Sequence, residues 1–191
     1  MTPSEAEARI EAALRASPRV MTVLETIAAA GLPDWRLVSG AVYGTVFNHM
    51  TGRAPDYGIK DYDIAYFDPD TSWDAEDAVI RRVEAALPVA LRPLVEVRNQ
   101  ARVHLWFGQR FGGDYPALPS TDAALERYLC TLHAVAVRLE PDGRLSFAAP
   151  FGYGDLFAMC LRGNPATVNP GNRAAKNREL MARWPELVEA D

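Results

Sequence analysis

Gly58-Ile59-Lys60-Asp61-Tyr62-Asp63-Ile64-Ala65-Tyr66-Phe67-Asp68 is the stretch on which the reading of this chain turns. From Asp61 to Phe67 the residues are aromatic and branched enough to predict a β-strand. In a strand, residues two apart share a face, so Asp61 and Asp63 project together, about 6–7 Å apart. Two like charges at that spacing repel by roughly 2–3 kcal/mol at an effective dielectric near 20, a sizeable part of a domain's net stability. An Asp-x-Asp pair on an exposed strand is commonly only solvated. Here, however, Ala65 and Phe67 continue the aspartate face and Tyr62, Ile64 and Tyr66 fill the other, so the strand reads as buried on both sides. Carboxylates at the end of a core strand call for a compensating partner, and a divalent cation is the natural one.

Working outward, the N-terminal segment carries Ile10, Leu14, Val20, Leu24 and Ile27 at helical spacing, broken by Ser17-Pro18, which predicts two helices ending at Gly31. A short strand at Trp35 to Val38 runs into Ser39-Gly40, and Ala41 to Met50 has helical spacing with Thr51-Gly52 to close it. Trp73 to Leu87 reads as a helix and Pro93 to Val97 as a third strand. Beyond lie a helix near Asp122 to Leu129 and a hairpin of Thr131 to Leu139 with Leu145 to Ala148 across Pro141-Asp142-Gly143. Two closing helices follow, one starting near Asp155 and one over Asn172 to Arg183, which stops before Trp184-Pro185. The fold class expected is α+β, a mixed β-sheet with flanking helices. No repeat or low-complexity linker divides the chain, so residues 1–191 are expected to form one domain, with a core over about 20–150 and C-terminal helices over about 155–185.

The 191 residues suffice for a real core, and the formal net charge of −5 argues against extended binding to a nucleic-acid backbone. Cys130 and Cys160 stand thirty residues apart with no Cys-x-x-Cys or Cys/His pattern, so buried thiols are expected rather than a disulfide framework or a zinc site. Residues 1–30 mix Glu and Arg with alanines and resemble neither a signal peptide nor a spanning segment; a cytoplasmic protein without membrane association is expected.

Two further features attach to the aspartates. Ser39-Gly40 opens a helix, where free N–H groups and the helix dipole favour a phosphate; an ordinary N-cap by the Ser39 side chain is the plainer reading. Glu96, flanked by Val95 and Val97, lies on the neighbouring strand about 4.8 Å away, within reach of the pair. Around them, Lys60 and Arg98 are cations suited to neutralising phosphate charge, and Asn99, Arg102 and His104 form a polar run ahead of Leu105-Trp106-Phe107 that suits an acceptor pocket. Lys176 on the last helix reads as part of a solvated face.

The order strand, Ser39-Gly40, helix, Asp61-Tyr62-Asp63, then Glu96 on a third strand resembles the DNA polymerase beta-like nucleotidyltransferase superfamily. More closely, residues 20–185 or so are similar to a bacterial family of nucleotidyltransferase-like proteins. That likeness rests on Ser39-Gly40-Ala41-Val42, Val46-Phe47-Asn48, the Gly58–Asp68 stretch, Val97-Arg98-Asn99-Gln100-Ala101-Arg102-Val103-His104-Leu105-Trp106 and Ala149-Pro150-Phe151-Gly152. The departures are Ser-Gly at the turn and a long insert before Asp61. The resemblance implies Mg2+ (or Mn2+) held by Asp61, Asp63 and Glu96, and Ser39 and Gly40 contacting a nucleoside triphosphate. It also implies transfer of a nucleotidyl group to an unidentified hydroxyl acceptor, a small molecule or a protein. A non-catalytic nucleotide-binding module of the same fold is the alternative, and phosphate-ester hydrolysis by the same carboxylates a further one.

Overall fold

The computed structural model describes residues 1–190. Helix α1 (Pro3–Arg15) begins with a capping box in which Thr2 and Glu5 satisfy each other's backbone N–H, and α2 (Pro18–Ala30) begins with Ser17 accepting from Val20 N–H. In both, proline occupies the first turn, where its missing N–H costs nothing. Strand β1 (Arg36–Val38) leads through Ser39 into α3 (Gly40–Thr51), whose C-terminus is closed by Gly52 in the left-handed conformation. Strand β2 (Tyr62–Tyr66), helix α4 (Trp73–Ala86), a 3-10 turn over Arg92–Leu94 and strand β3 (Val95–Asn99) follow.

The third strand therefore starts two residues later than the sequence suggests, because Pro93 sits in the 3-10 turn, where its fixed φ is favourable and no ladder N–H is required. A 3-10 turn (Gln100–Arg102) then runs into α5 (Val103–Phe111), a helix the sequence reading does not assign. Short α6 (Thr121–Leu125) precedes a 3-10 turn over Thr131–His133 and the hairpin β4 (Ala136–Leu139) and β5 (Leu145–Ala148). The hairpin's first strand is thus shorter than its apolar run, since Thr131–His133 curls back to pack against α3. Then come α7 (Gly154–Phe157), β6 (Cys160–Arg162), α8 (Arg173–Arg183) and β7 (Val188–Ala190).

The main sheet has the order β3-β2-β1-β4-β5 and is mixed: β2 and β3 are parallel, and the other neighbours antiparallel. One face carries Leu37, Tyr62, Ile64, Tyr66, Val97 and Val137, all buried, against α2, α3 and α4 in a core reaching from Ile10 to Leu187. The other face carries Val38, Ala65 and Ala136, packed with Leu125 and Ala134 into a much smaller cluster. Strands β6 and β7 pair in parallel and bring the segment after α8 back beside α7. Both cysteines are free and buried, and burial pushes the Cys130 thiol up to about 11. Among the described residues no helix is long and apolar enough to cross a membrane.

Candidate functional site

Register decides what can meet. Val38 is the antiparallel partner of Asp63, and Glu96 is its parallel partner on β3. Cross-strand partners share a face, so Asp63 and Glu96 project together from the thinly covered side of the sheet, with Arg98 two residues beyond Glu96 on that same side. Asp61 stands one residue ahead of β2, exposed, at the end of the sheet where β1 gives way to Ser39.

The turn closes on this corner. A Cβ placed on Gly40 would lie 3.8 Å from an Asp61 carboxylate oxygen and 3.8 Å from the Tyr43 hydroxyl, so the start of α3 and the first aspartate are in near contact. Ser39 does not cap α3 with its side chain. It has φ 55 and ψ −112; its carbonyl accepts from Val42 and Tyr43 N–H at 2.9 and 3.0 Å, and its own N–H donates to Val135 at 2.8 Å. A positive φ costs a serine conformational energy, and such strain concentrates at sites where surrounding contacts impose the backbone path. The first N–H groups of α3, which a helix cannot satisfy internally, thus begin beside the corner that holds Asp61.

Asp63 is mostly buried, and its carboxyl is pushed up to about 7 by desolvation first, then by Asp61 and Glu96; Lys176 and Arg98 pull the other way. Asp63 therefore carries its charge at a cost set first by the loss of water around it and increased by two neighbouring carboxylates. Burial also pushes the Tyr43 phenol well above its ordinary value, opposed by Arg183 and reinforced by Asp63 and Asp61. His133, stacked on Tyr43 with ring centroids 5.3 Å apart, is pushed down to about 3 by burial and by Lys176, so it is a neutral ring at physiological pH.

Glu96 accepts from Arg98 at 2.5 Å in an ion pair whose members are both about half exposed. Among the described residues no three His, Cys, Asp or Glu side chains stand together closely enough to hold a metal ion. The three-carboxylate set expected from sequence is thus not closed: Asp61 and Asp63 share the corner, while Glu96 is engaged by arginine. Two carboxylates still fit magnesium, which is bound in many sites by one or two carboxylates together with substrate phosphates and waters.

Other expected residues lie elsewhere. Asn99 is on the helix-covered face, buried, where its side chain bonds Asp68 and Ala101 N–H and the Asp68 and Asp70 carbonyls, while its own N–H donates to Glu76. Arg102 pairs with Glu76 at 3.3 Å and donates to the Ser72 carbonyl, tying the start of α4 to the end of β3. The period-two alternation that sends Glu96 and Arg98 to one side sends Asn99 to the other, and Arg102 follows in the 3-10 turn after the strand. Lys60 pairs with Glu179 of α8. Arg183 donates to the Gly58 carbonyl at 2.6 Å, and Trp184 donates to Asn48 at 2.9 Å. Gly44 and Gly58 let the Trp184 ring approach; a Cβ on either would come within 3.2 or 3.1 Å of it. The residues 52–60 insert is therefore clamped by α8 against α3, and this clamp fixes where Asp61 emerges.

From Val38 and Asp63 a cavity of about 290 Å³ runs along the sheet past Glu96, Arg98 and Gln100 under Trp106 and Tyr128. It adjoins a second, of about 320 Å³, walled by Trp106, Phe107, Phe111, Tyr115 and Tyr128. Lys176, Tyr128 and His133 are near the site only through contacts spanning some 65 to 115 residues, which no local spacing announces. The aromatic wall did leave a signal, since Val103, Trp106, Phe107, Arg110 and Phe111 recur at helical spacing.

A family model described as Nucleotidyltransferase matches residues 25–188. The chain belongs to that nucleotidyltransferase family, and nucleotidyl transfer is its class of activity. A solution structure described as revealing a CCA-adding enzyme head domain is similar to it with a TM-score of 0.75 at 23% identity, over 95% of this chain and 94% of that one. At that identity the likeness establishes the shared fold. No curated protein sequence matches the chain.

Proposed function

We propose that the protein transfers a nucleotidyl group from a nucleoside triphosphate to a hydroxyl acceptor, with a divalent cation, Mg2+ or Mn2+, held by Asp61 and Asp63. The carrying observation is the meeting of the strained Ser39–Gly40 turn with Asp61, beside a mostly buried Asp63 that holds its charge at a cost from desolvation and from Asp61 and Glu96. The N–H groups of the turn suit the triphosphate, and Arg98 and Lys176 are the cations able to offset charge as it develops on the phosphates. A bound cation would supply Lewis-acid stabilisation of the α-phosphate and of the leaving pyrophosphate. Glu96, once released from Arg98 by an incoming phosphate, would stand across from Asp63 to accept the proton of the acceptor hydroxyl. Lys60 acts through Glu179, positioning the insert rather than touching substrate.

Labelled triphosphates incubated with the protein, magnesium and cell extract should yield transferred label and pyrophosphate, both lost in Asp63→Asn. Absence of pyrophosphate with all four nucleotides would reject transfer. Two observations favour a second reading, a nucleotide-binding module without turnover: Glu96 is bound to Arg98, and among the described residues no three-ligand set is closed. Calorimetric nucleotide binding without any product would support it.

A further inference from the structure

The aromatic cavity beyond Arg98 has no part in holding the triphosphate as described above, and its position relative to the turn gives it a role. Nucleotidyl transfer proceeds in line: the acceptor oxygen bonds to the α-phosphorus while the bond from that phosphorus to the pyrophosphate oxygen breaks, releasing pyrophosphate and the hydroxyl proton. With the pyrophosphate at Ser39–Gly40, the acceptor must enter from the opposite side of the aspartates. Register places the turn on the β1 side of Asp63 and Glu96 on its β3 side. The cavity starts between Val38, Asp63 and Glu96, runs past Arg98 and Gln100 away from the Asp61 end of β2 where the turn lies, and widens between Trp106, Phe107, Phe111, Tyr115 and Tyr128.

We infer that this cavity is the acceptor subsite and that the acceptor is a small molecule with a planar, apolar body bearing a hydroxyl group. The inference rests on the nucleotidyl-transfer reading for the direction of attack. At about 320 Å³ the wider chamber suits a body of two or three fused rings, and aromatic walls bind such a body by stacking and edge contacts. A polynucleotide end is disfavoured, since the chain carries a formal charge of −5 and polynucleotide binding needs a basic track for its phosphates.

The probe is 7-hydroxycoumarin, a planar phenol, titrated with the full chain and followed by fluorescence anisotropy. Saturable one-site binding to the wild type is expected, and it is maintained in the presence of saturating α,β-methylene nucleoside triphosphate with magnesium. Val168 also lines the chamber, and affinity should fall about tenfold or more in Phe107→Ala, which removes a wall, and in Val168→Trp, which fills the space. Melting curves show whether each variant is folded, and a failure of one to fold leaves the other decisive. Three results would overturn the inference: no saturable binding at millimolar probe, affinity unchanged in the folded variants, or competitive displacement by the triphosphate analogue, which would make the chamber the nucleobase's. Nucleotide binding is measured separately by calorimetry on the same samples, so its absence would sink the transfer reading while leaving the coumarin result standing.

Discussion

Along the five residues of β2 the two faces of the sheet have opposite requirements. Tyr62, Ile64 and Tyr66 are no more than 1% exposed, packed under α2, α3 and α4, where each side chain contributes by excluding water. Asp63, between them, faces the thin side, where burial works against its charge and raises its carboxyl to about 7. One face is optimised for packing. The other retains an electrostatic penalty that packing alone would have eliminated, and such a penalty is characteristic of a site prepared for a charged ligand. The comparison teaches that stability and chemistry are separable here residue by residue, although they alternate every 3.3 Å or so along one strand.

That separation can be broken experimentally. Asp63→Asn should lower kcat/KM for nucleotide transfer by about a thousandfold or more, equivalent to roughly 4 kcal/mol of transition-state stabilisation, without lowering the melting temperature. Ile64→Ala, its immediate neighbour, should do the reverse, costing about 3 kcal/mol in urea unfolding while the folded fraction keeps near-normal kcat. If both variants fail in both assays, the two faces are not independent.

The pH dependence sharpens the same contrast. A carboxyl raised from 3.8 to about 7 in the folded state binds more protons folded than unfolded, so its penalty is absent at low pH and grows as pH rises from about 4 through 7. In metal-free protein, Asp63→Asn should therefore gain roughly 2 kcal/mol relative to wild type at pH 8 and little at pH 4, read by urea unfolding at the two values. Added magnesium should raise the wild-type melting temperature at pH 8 and leave that of Asp63→Asn unchanged.

The smallest effect is expected at the ion pair. Arg98→Ala should change stability by less than about 0.5 kcal/mol, because both partners are half exposed, yet reduce kcat/KM by roughly tenfold through the lost cation beside the phosphates. A stability loss well beyond that would make the pair a structural element instead.

Much of the fold was readable from local pattern: the helix caps at Ser17 and Gly52, the break before Pro18 and the strand at Tyr62–Tyr66 follow from capping chemistry and alternation. The pairing of Asp63 with Glu96 was also within reach, since only the strand sequence and a parallel neighbour were needed. Asn99 and Arg102 read as a polar run beside an acceptor pocket, but alternation from Arg98 turns Asn99 to the helix-covered face, and Arg102, in the 3-10 turn after the strand, is held by Glu76 and Ser72 some 26 to 30 residues earlier, contacts that local spacing does not show. The strands β6 and β7, three residues each, exist through pairing with one another across some 28 residues, which no local pattern shows. Lys176 illustrates the limit most clearly. By composition its helix face is solvated, and only the docking of α8 through Trp184 brings its charge to bear on Asp63.

The direct test is calorimetric titration of an α,β-methylene nucleoside triphosphate into wild type, Asp61→Asn and Asp63→Asn, each with magnesium and with excess chelator. One molecule should bind per wild-type chain only when the divalent cation is present, and either substitution should abolish binding in protein that still melts cooperatively. Equal binding with chelator, or in both aspartate variants, would contradict a divalent-cation site at Asp61 and Asp63.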